Sequence, residues 1–200
     1  MLYVALIVLA VNIDVPLSSQ CQTIADRITA RPAAYRAEPL EMHPTYELLT
    51  IPIQEVVAAG EVVVEGTVHP IRTYLSDDGC QVLTDYAVHV LQVAYGTLPP
   101  EAKPGLASPL TITTYGGQMT INGIKVVARL DQLPPFTPAQ HLLLILSRKA
   151  ADPRSYELAK GVYGAFSVEN GRVKHLLQSA GSARFDDMDK TALIAKFKRK

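Results

Sequence analysis

Tryptophan is absent from this 200-residue chain, aromatic residues make up only 6% of it, and nineteen acidic residues cancel nineteen basic ones. Each shortage excludes something. Few aromatics leave little on which single-stranded nucleic acid can stack. A formal net charge of zero lacks the basic excess that a phosphate backbone calls for. No nucleic-acid partner is therefore expected. The only cysteines, Cys21 and Cys80, form no CxxC pair, which removes the common zinc and thioredoxin-type spacings. The P-loop, the dinucleotide-binding glycine pattern, the GxSxG nucleophile elbow and the calcium-loop pattern are all missing.

What is present begins with a hydrophobic content of 48%, enough for a real core and too much for a disordered chain. Residues 1–11, MLYVALIVLAV, form an apolar run too short to cross a bilayer but of the length of a signal-peptide core. Residues 17–20 would follow as the cleavage region. The first basic residue is Arg27, so the usual positive leader is lacking. The expected location is extracytoplasmic (periplasmic or secreted), with no stable membrane span after processing. If the run is no signal, it is a buried element of a cytoplasmic protein. Free thiols are the default for the two cysteines, and a Cys21–Cys80 disulfide is the alternative after export.

The rest of the chain reads as mainly β. In residues 61–69, Val62, Val64, Gly66 and Val68 share one face, and Val63, Glu65, Thr67 and His69 the other. The first set is the better core face. Pro70 cannot donate to a ladder, so the strand ends or bulges there. Residues 76–80, SDDGC, suit a three-residue hairpin loop with Gly79 left-handed. The return strand points Tyr86, Val88 and Val90 inward, then slips phase by one residue at Val93, which predicts a β-bulge. Asn122-Gly123 and Asn170-Gly171 are type I′ hairpin turns. The run HLLLIL (141–146) suits a strand buried on both sides.

Helical signals are few. Residues 23–30 make a short helix that Pro32 stops. Residues 51–60 make another, capped by Thr50 and stopped by Gly60. Residues 185–200 make a third, with acids first and bases last, as the helix dipole favours. The expected organisation is a signal or apolar segment at 1–20, a short helix and proline-rich linker at 21–48, a β-barrel domain at 49–178, and a C-terminal helix with basic tail at 179–200.

In order and spacing, VVVEGTV, SDDG, TDYAVHVLQVAYG, LTITTYGG, PPFTPAQHLLLIL and YGAFSVENGRV resemble a group of uncharacterised exported bacterial β proteins, over roughly residues 48–175. More remotely, residues 90–96, VLQVAYG, resemble the recurrent strand-ending phrase of the netrin-like (NTR) module. That resemblance implies a small five- to seven-stranded antiparallel OB-like barrel with short N-terminal helices, a C-terminal helix and a secreted setting. NTR protease inhibitors chelate zinc through an N-terminal Cys-x-Cys. Here the corresponding stretch is Cys21-Gln22-Thr23, so the resemblance does not imply inhibition.

Two readings of function follow. The first is a non-enzymatic exported module that binds a protein, glycan or envelope component and needs no cofactor. OB-type barrels bind on one strand face and its loops, which points to Tyr74, Asp77, Asp78, Tyr115, Gly116 and Gly117, with the 97–109 loop beside them. The second is a metal-dependent hydrolase built on His69, His89 and Glu65, brought together on the outer face if the 61–93 hairpin pairs as its loop suggests.

Overall fold

The computed structural model describes residues 21–43, 51–100, 109–130, 135–149, 155–176 and 188–198. In chain order the elements are α1 (Ile24–Ala30), β1 (Leu40–Met42), α2 (Ile53–Ala59), β2 (Val62–Leu75), β3 (Val82–Tyr95), β4 (Leu110–Tyr115), β5 (Gly117–Ile121), β6 (Ile124–Ala128), β7 (Gln140–Arg148), β8 (Ser155–Leu158), β9 (Ala165–Glu169), β10 (Arg172–His175), β11 (Met188–Asp189) and α3 (Lys190–Lys198). The protein is mainly β, with half of the described residues in strands. Five strands close into a barrel in the order β2-β3-β4-β8-β7, with β7 returning to β2. All its pairings are antiparallel except β4 with β8. Among the described residues no helix is long and apolar enough to cross a membrane.

The phase slip in β3 is two bulges. Glu65 pairs with Gln92 and Gly66 with Val90, so Leu91 is extra; Val63 pairs with Tyr95 and Val64 with Val93, so Ala94 is extra. Gly66 permits the close approach, because a Cβ there would lie 2.5 Å from the His89 carbonyl oxygen. At Pro70 the strand bulges rather than ends: Pro70 pairs with Tyr86, Arg72 with Asp85, and β2 runs on to Leu75. The three bulges help a long hairpin curl around a small barrel.

Inside the barrel, Val62, Val64, Val68, Tyr86, Val88, Leu110, Ile112, Leu142, Leu144, Leu146 and Phe136 pack as one core. The opposite face of β2 and β7 is also buried. Val63, Leu143 and Ile145 meet Phe166 and Val173 of β9 and β10, with Ile53, Val56 and Val57 of α2 and Leu193 and Phe197 of α3. The outer face of β2 is therefore a second core, covered by helices and by β9 and β10. Residues 142–146 are fully buried on both sides, each side chain worth roughly 1.5–3 kcal/mol relative to exposure.

The helices differ from expectation in detail. Thr23 caps α1 by accepting from the Asp26 N–H. Thr50 lies outside the described residues, and Pro52 stands at the start of α2. Gly60 ends α2 with φ −73°, so it is not a left-handed stop. It is needed because a Cβ would lie 2.5 Å from Ile145 Cγ2. Asp189 caps α3 through the Ala192 N–H at 2.9 Å. Asn122 and Asn170 (both φ 50°) precede Gly123 and Gly171 (φ 78° and 77°), as the two hairpin turns require.

A second, three-stranded sheet has the order β1-β6-β5. It packs with α1 around Ile24, Ile28, Met42, Val82, Val126 and Ala128. Part of the expected linker is thus a strand, with Leu40 to Met42 parallel to Val126 to Ala128. Three residues between prolines carry no alternation to announce it. The loop after β2 is one residue longer than expected. Ser76 N–H donates to Gln81 O at 2.9 Å, leaving residues 77–80 in the turn, with Gly79 left-handed. The Asp78 carboxylate draws Cys80 into that turn by accepting its N–H. The Ile24 N–H donates to Gly79 O at 2.9 Å and lays the N-terminal segment along the loop. Cys21 and Cys80 are there joined as a disulfide, with Cα atoms 6.1 Å apart, so the thiols are not free.

Candidate functional site

Where β4 gives way to β5, the chain turns through Gly116 (φ 102°) and Gly117 (φ 133°). Only glycine suits Gly117, since a Cβ would meet Thr84 Oγ1 and lie 2.9 Å from Thr73 Cγ2. Thr84, itself buried, donates to Gly116 O at 2.6 Å and fixes the corner. Beside it, at the junction of the barrel and the three-stranded sheet, opens a cleft of about 320 Å³. Tyr86, Thr114 and Phe136 line it from the barrel side, with Tyr115, Gly116 and Gly117 at the corner. Gln118, Val127, Ala128, Arg129 and Leu130 form the opposite wall.

The cleft is preformed by packing. Tyr86 and Phe136 meet edge to face with centroids 5.1 Å apart. Burial pushes the Tyr86 phenol above its usual pKa, against opposing hydrogen bonds with the Phe136 backbone and the Thr114 side chain. The phenol is thus a neutral wall. Among the described lining residues Arg129 alone carries a charge.

A polar cluster occupies the outer face of β2, β3 and β4. Asp85 is only 4% exposed. Its carboxylate accepts from Arg72 Nε at 2.8 Å, Tyr74 OH at 3.0 Å and Thr113 Oγ1 at 2.8 Å. Lys149 Nζ donates to Thr113 Oγ1 at 3.0 Å, and the Arg72 guanidinium lies 4.7 Å from the Tyr74 ring centroid. Burial raises the Asp85 pKa, but the hydrogen bonds from Arg72, Thr113 and Tyr74 and the charge of Arg72 outweigh it and hold the carboxyl below its ordinary value. Tyr74 is pushed up, first by burial and then by its bond to Asp85.

The expected surface therefore divides. Tyr115, Gly116 and Gly117 line the cleft, while Tyr74 belongs to the Asp85 cluster. Asp77 and Asp78 sit in the hairpin turn, where Asp78 accepts from Ser76 Oγ and Cys80 N–H, which lower its pKa. Of the 97–109 loop, residues 101–108 lie outside the described residues, and Leu98 reaches the barrel core. Sequence reasoning missed Arg129, Phe136, Asp85, Thr113 and Lys149. Asp85 had left a signal, as the one acid in the stretch 82–95.

The proposed metal ligands do not assemble. Thr67 faces His89 as expected, and the His69 and His89 rings lie edge to face with centroids 5.3 Å apart. Glu65 is elsewhere. It is 8% exposed; one carboxylate oxygen lies 2.9 Å from His141 Nε2 and the other accepts from Lys190 Nζ at 2.8 Å. At about 3.3 Å per residue, four residues of strand put it some ~13 Å from His69. Among the described residues no three histidine, cysteine or acidic side chains form a metal-holding group. No family model, curated protein or solved structure matches this chain.

Proposed function

We propose that this chain is an exported OB-type binding module, remotely NTR-like, that captures its ligand at the cleft beside residues 115–117. The cleft carries the reading: aromatic and aliphatic walls enclose a preformed space, and the glycine corner holds it open. Small-molecule and side-chain sites have this composition, a mostly apolar concavity with a few fixed polar groups. Support for the OB-type assignment comes from strand order. Numbered from β2, the barrel strands run 1-2-3-5-4, with the fourth closing on the first and the third parallel to the fifth, as in OB-type barrels. Export is supported by the apolar run at residues 1–11 and by the Cys21–Cys80 disulfide, since such bonds persist in oxidising compartments.

The test is a backbone NMR titration of the isotope-labelled protein with a library of small amphipathic compounds and, separately, with zinc. Hits that shift Gly116, Gly117, Gln118 and Arg129 amides support the reading. Hits clustered on His69 and His89, or zinc-induced shifts there, support the hydrolase instead.

A further inference from the structure

We infer that the ligand of this cleft is an amphipathic carboxylate, an apolar body bearing one anionic group, with Arg129 as its counterion. The inference rests on the binding reading above and adds the chemical class. Arg129 follows β6, and its backbone N–H is spent on Met42 O at 3.0 Å. Arg129 is exposed and lines the cleft, and its side chain is seen in no hydrogen bond or ion pair with another described residue. The contrast with Arg72 is informative. Arg72 is also exposed, yet its charge is committed to Asp85, while among the described residues no acid lines the cleft to engage Arg129. A guanidinium at the edge of an apolar hollow favours a planar anion that it can bind through two parallel N–H bonds. A phosphate would suit the charge, but the side chains of Phe136, Val127 and Leu130 offer it no hydrogen bond. An aliphatic or aromatic acid uses both halves of the site.

The volume, about 320 Å³, is at the small end of ligand pockets. It fits a single ring or a medium-length chain.

Calorimetry with decanoate and the uncharged decanol tests the inference on the full chain, the Arg129→Gln variant and a Gln118→Trp variant. Gln118 is exposed on β5, so an indole there fills the cleft without disturbing either core. Decanoate should bind at one equivalent, weaken about tenfold or more in Arg129→Gln as a charge-assisted contact is lost, and fail to bind Gln118→Trp. Decanol should bind more weakly and ignore the Arg129 change. If decanol matches decanoate and both are lost only in Gln118→Trp, the cleft stands and the carboxylate class is overturned. If decanoate does not bind at all, the class is likewise overturned. If it binds but survives Gln118→Trp, the cleft itself is the wrong place.

Discussion

The barrel and the three-stranded sheet are held by different means. In the barrel, β2 and β7 are buried on both faces, so nearly every residue of 142–146 contributes apolar contact to one core or the other. The small sheet has one shallow core of Ile24, Ile28, Met42, Val82, Val126 and Ala128. It compensates with covalent and polar anchors: the disulfide, the Ile24–Gly79 bond and the pairing of β1 with β6. The cleft lies where these two regimes meet. One wall is as rigid as the barrel, and the other is only as firmly placed as the strap that holds β6.

The sharpest way to break the comparison is to attack the barrel. Val88 is fully buried in its core, opposite Val68. Val88→Asp puts an unpaired carboxylate there, a change whose cost exceeds the usual mutational range and rivals the whole stability of a domain. The expected outcome is loss of the cooperative thermal transition. A soluble Val88→Asp protein with a normal melt would mean that β3 faces the other way.

The strap should break differently. Cys21 and Cys80 are 59 residues apart, and closing a loop of that length is worth about 4 kcal/mol in the chain-entropy picture, with about 2–4 kcal/mol commonly realised. In a Cys21→Ser, Cys80→Ser variant, hydrogen exchange should accelerate in α1, β1, β5 and β6 while β2 and β7 keep their protection. Uniform loss across both sheets would show that they unfold as one unit. The cleft then would have no softer wall.

The reach of sequence reasoning follows the same division. In the barrel, alternation located the inward face of β2 and β3, and the slip at Val93 located the bulges, because burial there leaves a period in the sequence. HLLLIL was legible as two-sided for the same reason. Where the sequence was silent, contacts were non-local. β1 is three residues long and parallel to a strand eighty-odd positions away, and no local pattern encodes such a partner. Glu65 alternated correctly with His69 on the outer face, yet Lys190, which buries it, comes from the far end of the chain. At the site, Gly116 and Gly117 were visible as candidate binding residues. Arg129 and Phe136 were not, since only the fold brings them to it.

A smaller effect distinguishes the polar cluster from both cores. Asp85 is buried and its pKa is depressed, with Arg72, Thr113 and Tyr74 donating to it. A carboxylate more acidic in the folded state stabilises the fold above its unfolded pKa of about 3.9, and that contribution is lost as pH falls through the folded value. Asp85→Asn should cost about 1–3 kcal/mol at neutral pH, the worth of charge-assisted bonds. Denaturant melts from pH 7 down to pH 2.5 should show the gap between wild type and variant closing below about pH 4. A gap that does not narrow would mean that the carboxylate's charge contributes nothing to the fold.

The smallest expected effect belongs to His69 and His89. They meet ring to ring on the outer face, but His89 is exposed and neither contributes to a core cluster. The carboxylate that would complete a metal site is spent on His141 and Lys190. His141 cannot replace it, because Thr67 lies between His89 and His141 in the sheet, and two strand spacings separate their Cα atoms by roughly 10 Å. A catalytic zinc needs three ligands and an open position, with groups behind them that orient each ring. The double substitution His69→Ala, His89→Ala should therefore change stability by no more than about half a kcal/mol, as for ordinary surface positions. Elemental analysis of protein purified without chelator should find no stoichiometric zinc. One equivalent of metal that disappears in the double variant would break the binding reading and move the chemistry to this face.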